Sequence, residues 1–298
     1  MITVPDSFAT DTIAREGDAA RDWLANLPGL VGTLCMQWNL LLDGPPIPGY
    51  LALVIPTRRG DERLMLKVSW MDDSTAWEMM ALATWAGRGA VQLLAAAPDR
   101  GAMLLERLNS RRSLADLPID EARRIAGQLL RRLAVPSPVG PPRLTMVAHH
   151  LHETLPARWE QAGRPMPRQL LDLACDLAVQ LGPTAGNLLV NYDLHYGNVL
   201  AGVREPWLAI DPKVVAGDPE YGLAQLLWTR LDDLPGAAGL EQHVQALVEA
   251  AALDLPRAYA WSLVRTVDYW LWAVSVGLTI DPVRCEVVAT WLAGKHHA

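Results

Sequence analysis

Between Arg15 and Leu27 apolar residues recur every three to four positions, which predicts an amphipathic helix ended by Pro28, with Gly29 to Asn39 following as a second short helix. Beyond it the period shortens. Tyr50 to Pro56 is a compact apolar run, Arg59 to Asp61 a turn, and Arg63 to Trp70 alternates, so the pair predicts a β-hairpin. Asp73 to Ala86 returns to helical spacing, with Ser74 or Thr75 as N-cap and Gly87 as stop. Two more apolar runs, Ala90 to Ala96 and Gly101 to Leu108, flank the turn residues Pro98 and Asp99. Strand, strand, helix, strand, strand makes a mainly antiparallel sheet carrying one helix. Such a layer is too thin for a chain of 298 residues, so residues 1–108 are expected to form one lobe of two. Asn109 to Pro118 reads as the linker.

From Asp120 onward the helical period dominates, over Asp120 to Ala134, Leu144 to Gln161, Pro167 to Leu181, Pro219 to Asp232, Leu240 to Ala252, Pro256 to Val276 and Asp281 to Ala293. Pro136 to Pro142 is a loop. The exception is Gly186 to Pro212, where Leu188 to Val190, Val199 to Ala201 and Trp207 to Ile210 read as short strands around polar loops. An irregular patch in a helical lobe of residues 109–298 is where chemistry is expected. The fold class is therefore α+β, a sheet-bearing first lobe followed by a mainly helical second.

Composition narrows the function classes. A hydrophobic share of 51% and a charged share of 20% exclude a disordered chain. No apolar stretch is long enough to span a bilayer, and Met1 to Asp11 lacks the basic and apolar regions of a leader, so a cytoplasmic protein is expected. Cys35, Cys175 and Cys285 are far apart and form neither a disulfide framework nor a zinc pattern. A formal net charge of −7 speaks against nucleic-acid and anionic-membrane partners and favours a cationic small molecule.

Within the irregular patch, Asn191-Tyr192-Asp193-Leu194-His195-Tyr196-Gly197-Asn198 is followed after a short strand pair by Ile210-Asp211-Pro212-Lys213. Two carboxylates and an amide on loops flanking a tight hairpin suit phosphoryl transfer. That reaction needs a carboxylate to take the hydroxyl proton, here Asp193, and hard oxygen ligands for Mg2+, here Asn198 and Asp211.

At these positions the sequence resembles the aminoglycoside phosphotransferase family, a branch of the two-lobed protein-kinase-like fold, whose catalytic loop carries Asp, Leu, His, x, Gly, Asn. Asp193, Leu194, His195, Gly197 and Asn198 match it. The resemblance implies Asp193 as catalytic base, Asn198 and Asp211 as magnesium ligands, and ATP as phosphoryl donor. It extends to the first lobe, where Lys67 and Glu78 match the lysine and glutamate that kinases pair to hold the α- and β-phosphates. Leu104-Leu105-Glu106-Arg107-Leu108 resembles the interlobe hinge, which places Glu106 and Leu108 at the adenine edge. The chain looks most like the streptomycin 6-kinase and hydroxyurea phosphotransferase branch. The residues behind that are Trp85-x-Gly87-Arg88-Gly89-Ala90-Val91-x-Leu93-Leu94, Glu205-Pro206-Trp207-Leu208-Ala209-Ile210-Asp211-Pro212 and Gly217-Asp218-Pro219.

The implied activity is ATP-dependent O-phosphorylation of a small, cationic acceptor such as streptomycin or a related aminoglycoside. Hydroxyurea or another antibiotic or sugar metabolite, and a weakened nucleotide-binding pseudokinase, are the alternatives. The last is motivated by departures from the family pattern. Asn191 and Tyr192 replace the usual His and Gly before the catalytic aspartate, Gly222 stands where an aspartate is often found, and Pro45, Pro46 and Pro48 interrupt the glycines of the nucleotide loop, Gly44 and Gly49.

In the late helices, Asp268 and Trp272 form an i, i+4 pair proposed to meet a guanidinium-bearing acceptor. His149, His150 and His152 do not share a helix face at ligand spacing and are not read as a metal site. His195 is read as orienting backbone, and His296 and His297 as an unstructured terminus.

Overall fold

The computed structural model describes residues 2–296, apart from the side chain at position 73, and divides into two units, Met1–Leu108 and Asn109–Ala298.

In the first unit, α1 (Asp6–Glu16) and α2 (Ala19–Gln37) precede β1 (Leu41–Leu42), β2 (Ile47–Pro48), β3 (Ala52–Arg59), β4 (Glu62–Ser69), α3 (Asp73–Trp85), β5 (Leu93–Ala97) and β6 (Ala102–Glu106). The sheet runs β1-β3-β4-β6-β5 and its paired strands are antiparallel, with β2 also on β3. Pro28 does not end a helix, contrary to the sequence expectation, but lies inside α2. The reason is the stripe Ala20, Leu24, Leu27, Val31 and Leu34, which keeps helical period straight across the proline and is buried against Leu53, Ile55, Leu66 and Val68. The break falls earlier, at Gly17, whose φ of 72° few other residues adopt.

α3 is capped not by Ser74 or Thr75 but by Asp72, whose carboxylate accepts from the Thr75 N–H at 2.9 Å. Its end is the left-handed Ala86 (φ 48°), one residue before the expected Gly87.

The second unit opens with β7 (Asn109–Ser113), so the first half of the expected linker is a strand, paired with Val199–Ala201 and followed by a 3-10 turn with a Ser113/Asp116 capping box. Then come α4 (Ile119–Leu133), β8 (Val135–Pro136), α5 (Leu144–Gln161), α6 (Arg168–Leu181), β9 (Leu188–Asn191), β10 (Val199–Ala201), β11 (Trp207–Ala209) and β12 (Val214–Gly217). The chain ends with α7 (Ala224–Trp228), α8 (Gly236–Ala251), α9 (Leu255–Ser275) and α10 (Ile280–His296). The expected long helix over Pro219 to Asp232 is broken into a 3-10 turn, α7 and a second 3-10 turn. His296 is the last residue of α10 and not part of an irregular tail, while His297 lies outside the described residues.

Two three-stranded sheets, β11-β10-β7 and β12-β9-β8, sit among these helices. The chain leaves one sheet after β9, enters the other as the β10–β11 hairpin, and returns to the first as β12. The two crossing segments therefore run side by side. Tyr192 N–H donates to Lys213 O at 2.9 Å and Ile210 N–H to Asn198 O at 2.9 Å, which locks them together.

Candidate active site

In the first unit the alternation of β4 decides which side chain faces which layer. Leu64, Leu66 and Val68 point one way, Leu66 and Val68 joining the α2 core, and Lys67 points the other. There its ammonium donates to both carboxylate oxygens of Glu78 on α3, each at 2.7 Å. Both residues are 7% exposed, so the pair is desolvated and its geometry is held by a central strand and a helix.

At the end of β6, Glu106 accepts from the Gln92 N–H at 2.8 Å through its side chain and donates to Gln92 O at 3.1 Å through its backbone. Leu108, half-buried, is the last residue of this unit. Arg107 between them donates to Leu64 O at 3.1 Å, Thr57 O at 2.6 Å and Asp43 at 2.7 Å, tying the segment to the hairpin and to the Pro-rich loop.

In the second unit Asp193 is fixed at three points. Its N–H donates to Asn191 Oδ1 at 3.0 Å, its carbonyl accepts from Asn198 Nδ2 at 3.2 Å, and its Oδ1 accepts from Gln225 Nε2 at 2.7 Å. Asn191 thus holds the loop's backbone. Because Asn198 spends its amide nitrogen on Asp193, what remains to it is an oxygen.

Asp211, inside the neighbouring segment, is exposed and takes a left-handed φ of 52°, a conformation that costs a non-glycine residue energy and that a short polar side chain tolerates best. One amide oxygen and one exposed carboxylate on adjoining segments match the sparse protein ligation magnesium uses, which leaves room for phosphates and water. No cluster of three or more His, Cys, Asp or Glu suited to a metal is present among the described residues, which distinguishes this donor set from a zinc site.

His195 turns its Nδ1 inward to accept the Gly197 N–H at 3.1 Å. Burial pushes its proton affinity below the usual histidine value, against the opposing fields of Asp193, Asp211 and Asp281. Tyr196, buried beside it, meets His243 Nε2 at 3.3 Å. His243 Nε2 also lies 3.0 Å from Leu226 O, which can only accept, so that nitrogen carries the hydrogen.

Asp218, 6% exposed, braces the loops from behind. Its carboxylate accepts from the Gly186 N–H, the Arg257 guanidinium and the Trp261 indole, each at 2.7 Å.

Asp268 and Trp272 are placed differently from the sequence expectation of an open acceptor site. Asp268 Oδ1 accepts from Arg158 at 2.7 Å and Oδ2 from Arg265 at 2.7 Å, so the protein's own guanidinium groups already occupy that carboxylate. Trp272 is 37% exposed and tilts against Tyr269 at 5.2 Å. Trp228 and Trp270 are core residues. His149 lies 3.3 Å from Glu153, an ordinary exposed helical pair.

Sequence reasoning missed Gln225 and Arg265. The first is a lone amide inside the apolar run Leu223 to Trp228, a pattern that marks a buried polar group without naming its partner. The second is a buried guanidinium 5.2 Å over the Tyr192 ring and 5.7 Å over that of Tyr269. Nothing in its helical spacing announces it.

Comparison with known proteins follows the same lines. The sequence profile of the aminoglycoside/hydroxyurea antibiotic resistance kinases matches residues 37–277. A streptomycin 6-kinase of Streptomyces glaucescens is 36% identical over 95% of this chain and 94% of its own length. A hydroxyurea phosphotransferase of Kitasatospora aureofaciens is 38% identical over 99% of this chain and 87% of its own. Among solved structures, an aminoglycoside phosphotransferase in ternary complex with ADP and hygromycin B superposes with a TM-score of 0.62 at 16% identity, covering 87% of this chain and 97% of that one. That likeness shows the protein-kinase-like fold.

Proposed function

Because the chain belongs to the aminoglycoside/hydroxyurea antibiotic resistance kinases, we propose that it transfers the γ-phosphoryl group of ATP to a hydroxyl of streptomycin or a closely related cationic aminoglycoside. The observation that carries the assignment of roles is the three-point fixing of Asp193 beside Asn198 and Asp211.

In this reading the Asp193 carboxylate orients the acceptor hydroxyl and takes its proton as the new O–P bond forms, while the bond from the γ-phosphorus to its bridging oxygen breaks and ADP departs. Lys67, held by Glu78, carries positive charge to the α- and β-phosphates. The Asn198 oxygen and the Asp211 carboxylate are the groups that would hold magnesium, which when bound neutralises charge on the phosphates. His195, Gly197 and Asp218 keep the loops in shape. The hinge segment Glu106 to Leu108 would offer its backbone to the adenine.

A cationic acceptor fits the local field. The carboxylates of Asp193, Asp211 and Asp281 act on His195 against the opposing charge of Lys213, in a chain whose formal net charge is −7. The hydroxyurea phosphotransferase relative supports a second acceptor, small and neutral.

The deciding experiment measures ATP consumption with magnesium against streptomycin, other aminoglycosides and hydroxyurea, with mass spectrometry of the products. The expected product is phosphorylated streptomycin. Tight ATP binding without turnover on any of these acceptors overturns the assignment.

A further inference from the structure

Gln225, the third of the points that fix Asp193, is a buried polar residue of the second unit. It lies on α7, is 5% exposed, and stands among the buried Leu226, Leu227 and Trp228. A primary amide in such surroundings is costly unless it is bonded. Only one end of it is bonded within the protein. Nε2 donates to Asp193 Oδ1 at 2.7 Å, whereas Oε1 has no protein partner among the described residues. An ionised carboxylate only accepts, so the amide must turn its nitrogen toward Asp193, and the contact is a charge-assisted bond at the short end of the range.

We propose that Gln225 is a positioning residue for Asp193, selecting which carboxylate oxygen meets the acceptor hydroxyl. The inference rests on Asp193 being the base. Asn191 and Asn198 already hold the backbone of Asp193 on both sides, which leaves the side-chain torsions as its remaining freedom. The bond from Gln225 to Oδ1 removes that freedom and leaves Oδ2 as the oxygen to receive the proton. The reach from α7 depends on Gly222. A Cβ there would lie 2.7 Å from Asn191 O, so its absence lets the segment leading into α7 close on the end of β9.

The test uses the full chain as wild type, Gln225→Leu and Asp193→Ala. Leucine removes the bond and the orphaned oxygen together, so the variant is expected to fold. With streptomycin as acceptor, kcat of Gln225→Leu should fall about tenfold at unchanged KM for ATP.

An unchanged kcat, or a loss of activity that appears in the KM for ATP and not in kcat, overturns the role of Gln225 while leaving Asp193 as the base if Asp193→Ala is inactive. Full turnover by Asp193→Ala overturns the base assignment and this inference with it.

Discussion

Lys67 and Asp193 are both held in fixed geometry, but by different means. Lys67 stands in the middle of a regular ladder, opposite Val54 on one side and Met103 on the other, and meets Glu78 from a regular helix. Asp193 stands between two small sheets in irregular backbone, fixed by one bond each from Asn191, Asn198 and Gln225. Regular elements spread the work of positioning over many backbone hydrogen bonds. A loop concentrates it in single side chains, so each is less replaceable.

The largest effect that would sharpen this contrast is at Asp193. Asp193→Ala should lower turnover at least about a thousandfold while ATP affinity stays within about twofold, since in the proposed function the carboxylate acts on the acceptor. Equilibrium ATP binding beside steady-state kinetics checks it.

Next comes Glu78→Ala, which takes the carboxylate from a buried ammonium and should cost about 3–5 kcal/mol. Pairing Lys67→Met with Glu78→Leu should recover most of that stability without recovering activity. A urea midpoint for Glu78→Ala equal to wild type would break the claim that the pair is desolvated.

A pH dependence follows in size. Burial pushes the His243 imidazole down to about 4, so the folded state keeps it neutral while the unfolded chain protonates near the ordinary value of 6.5. Its contribution is fully present above about 6.5 and is lost progressively toward 4, on the order of 3 kcal/mol in all. The wild type minus His243→Gln difference in urea stability, followed from pH 8 to 4, should show that loss. A flat difference would remove the assignment.

The smallest effect compares one added methyl in each unit. Gly222→Ala must displace Asn191 O, Leu130 or Val190 and should cost about 1–3 kcal/mol. Gly29→Ala, exposed on α2 with nothing within 4 Å of the new Cβ, should gain up to about 1 kcal/mol from helix propensity. Thermal melting distinguishes them.

What could be read from the sequence follows the same division. The β3–β4 hairpin, α3 and the long helices were visible because their periods of two and 3.6 are properties of consecutive residues. Through the hairpin and the helix order, so were the positions of Lys67 and Glu78. Pro28 misled because a local rule about proline competed with a stripe that stays in phase from Ala20 to Leu34 and is buried on one side of the sheet. β7, β8 and β12 escaped notice because short strands are defined by partners far along the chain, such as Leu200 for Ser113. The loop motif located Asp193, Asn198 and Asp211. It carried no information about Gln225, 32 positions downstream of Asp193, or about the two arginines that occupy Asp268.

Gly222 also bears on which substitutions stay open to this chain. An aspartate at that position would begin with a Cβ that meets the Asn191 carbonyl at 2.7 Å. That single substitution would press on the residue that now holds the Asp193 loop. The glycine is thus entrenched by its neighbours, and a carboxylate could enter only along a mutational path in which the backbone near Asn191 had first been given somewhere else to go.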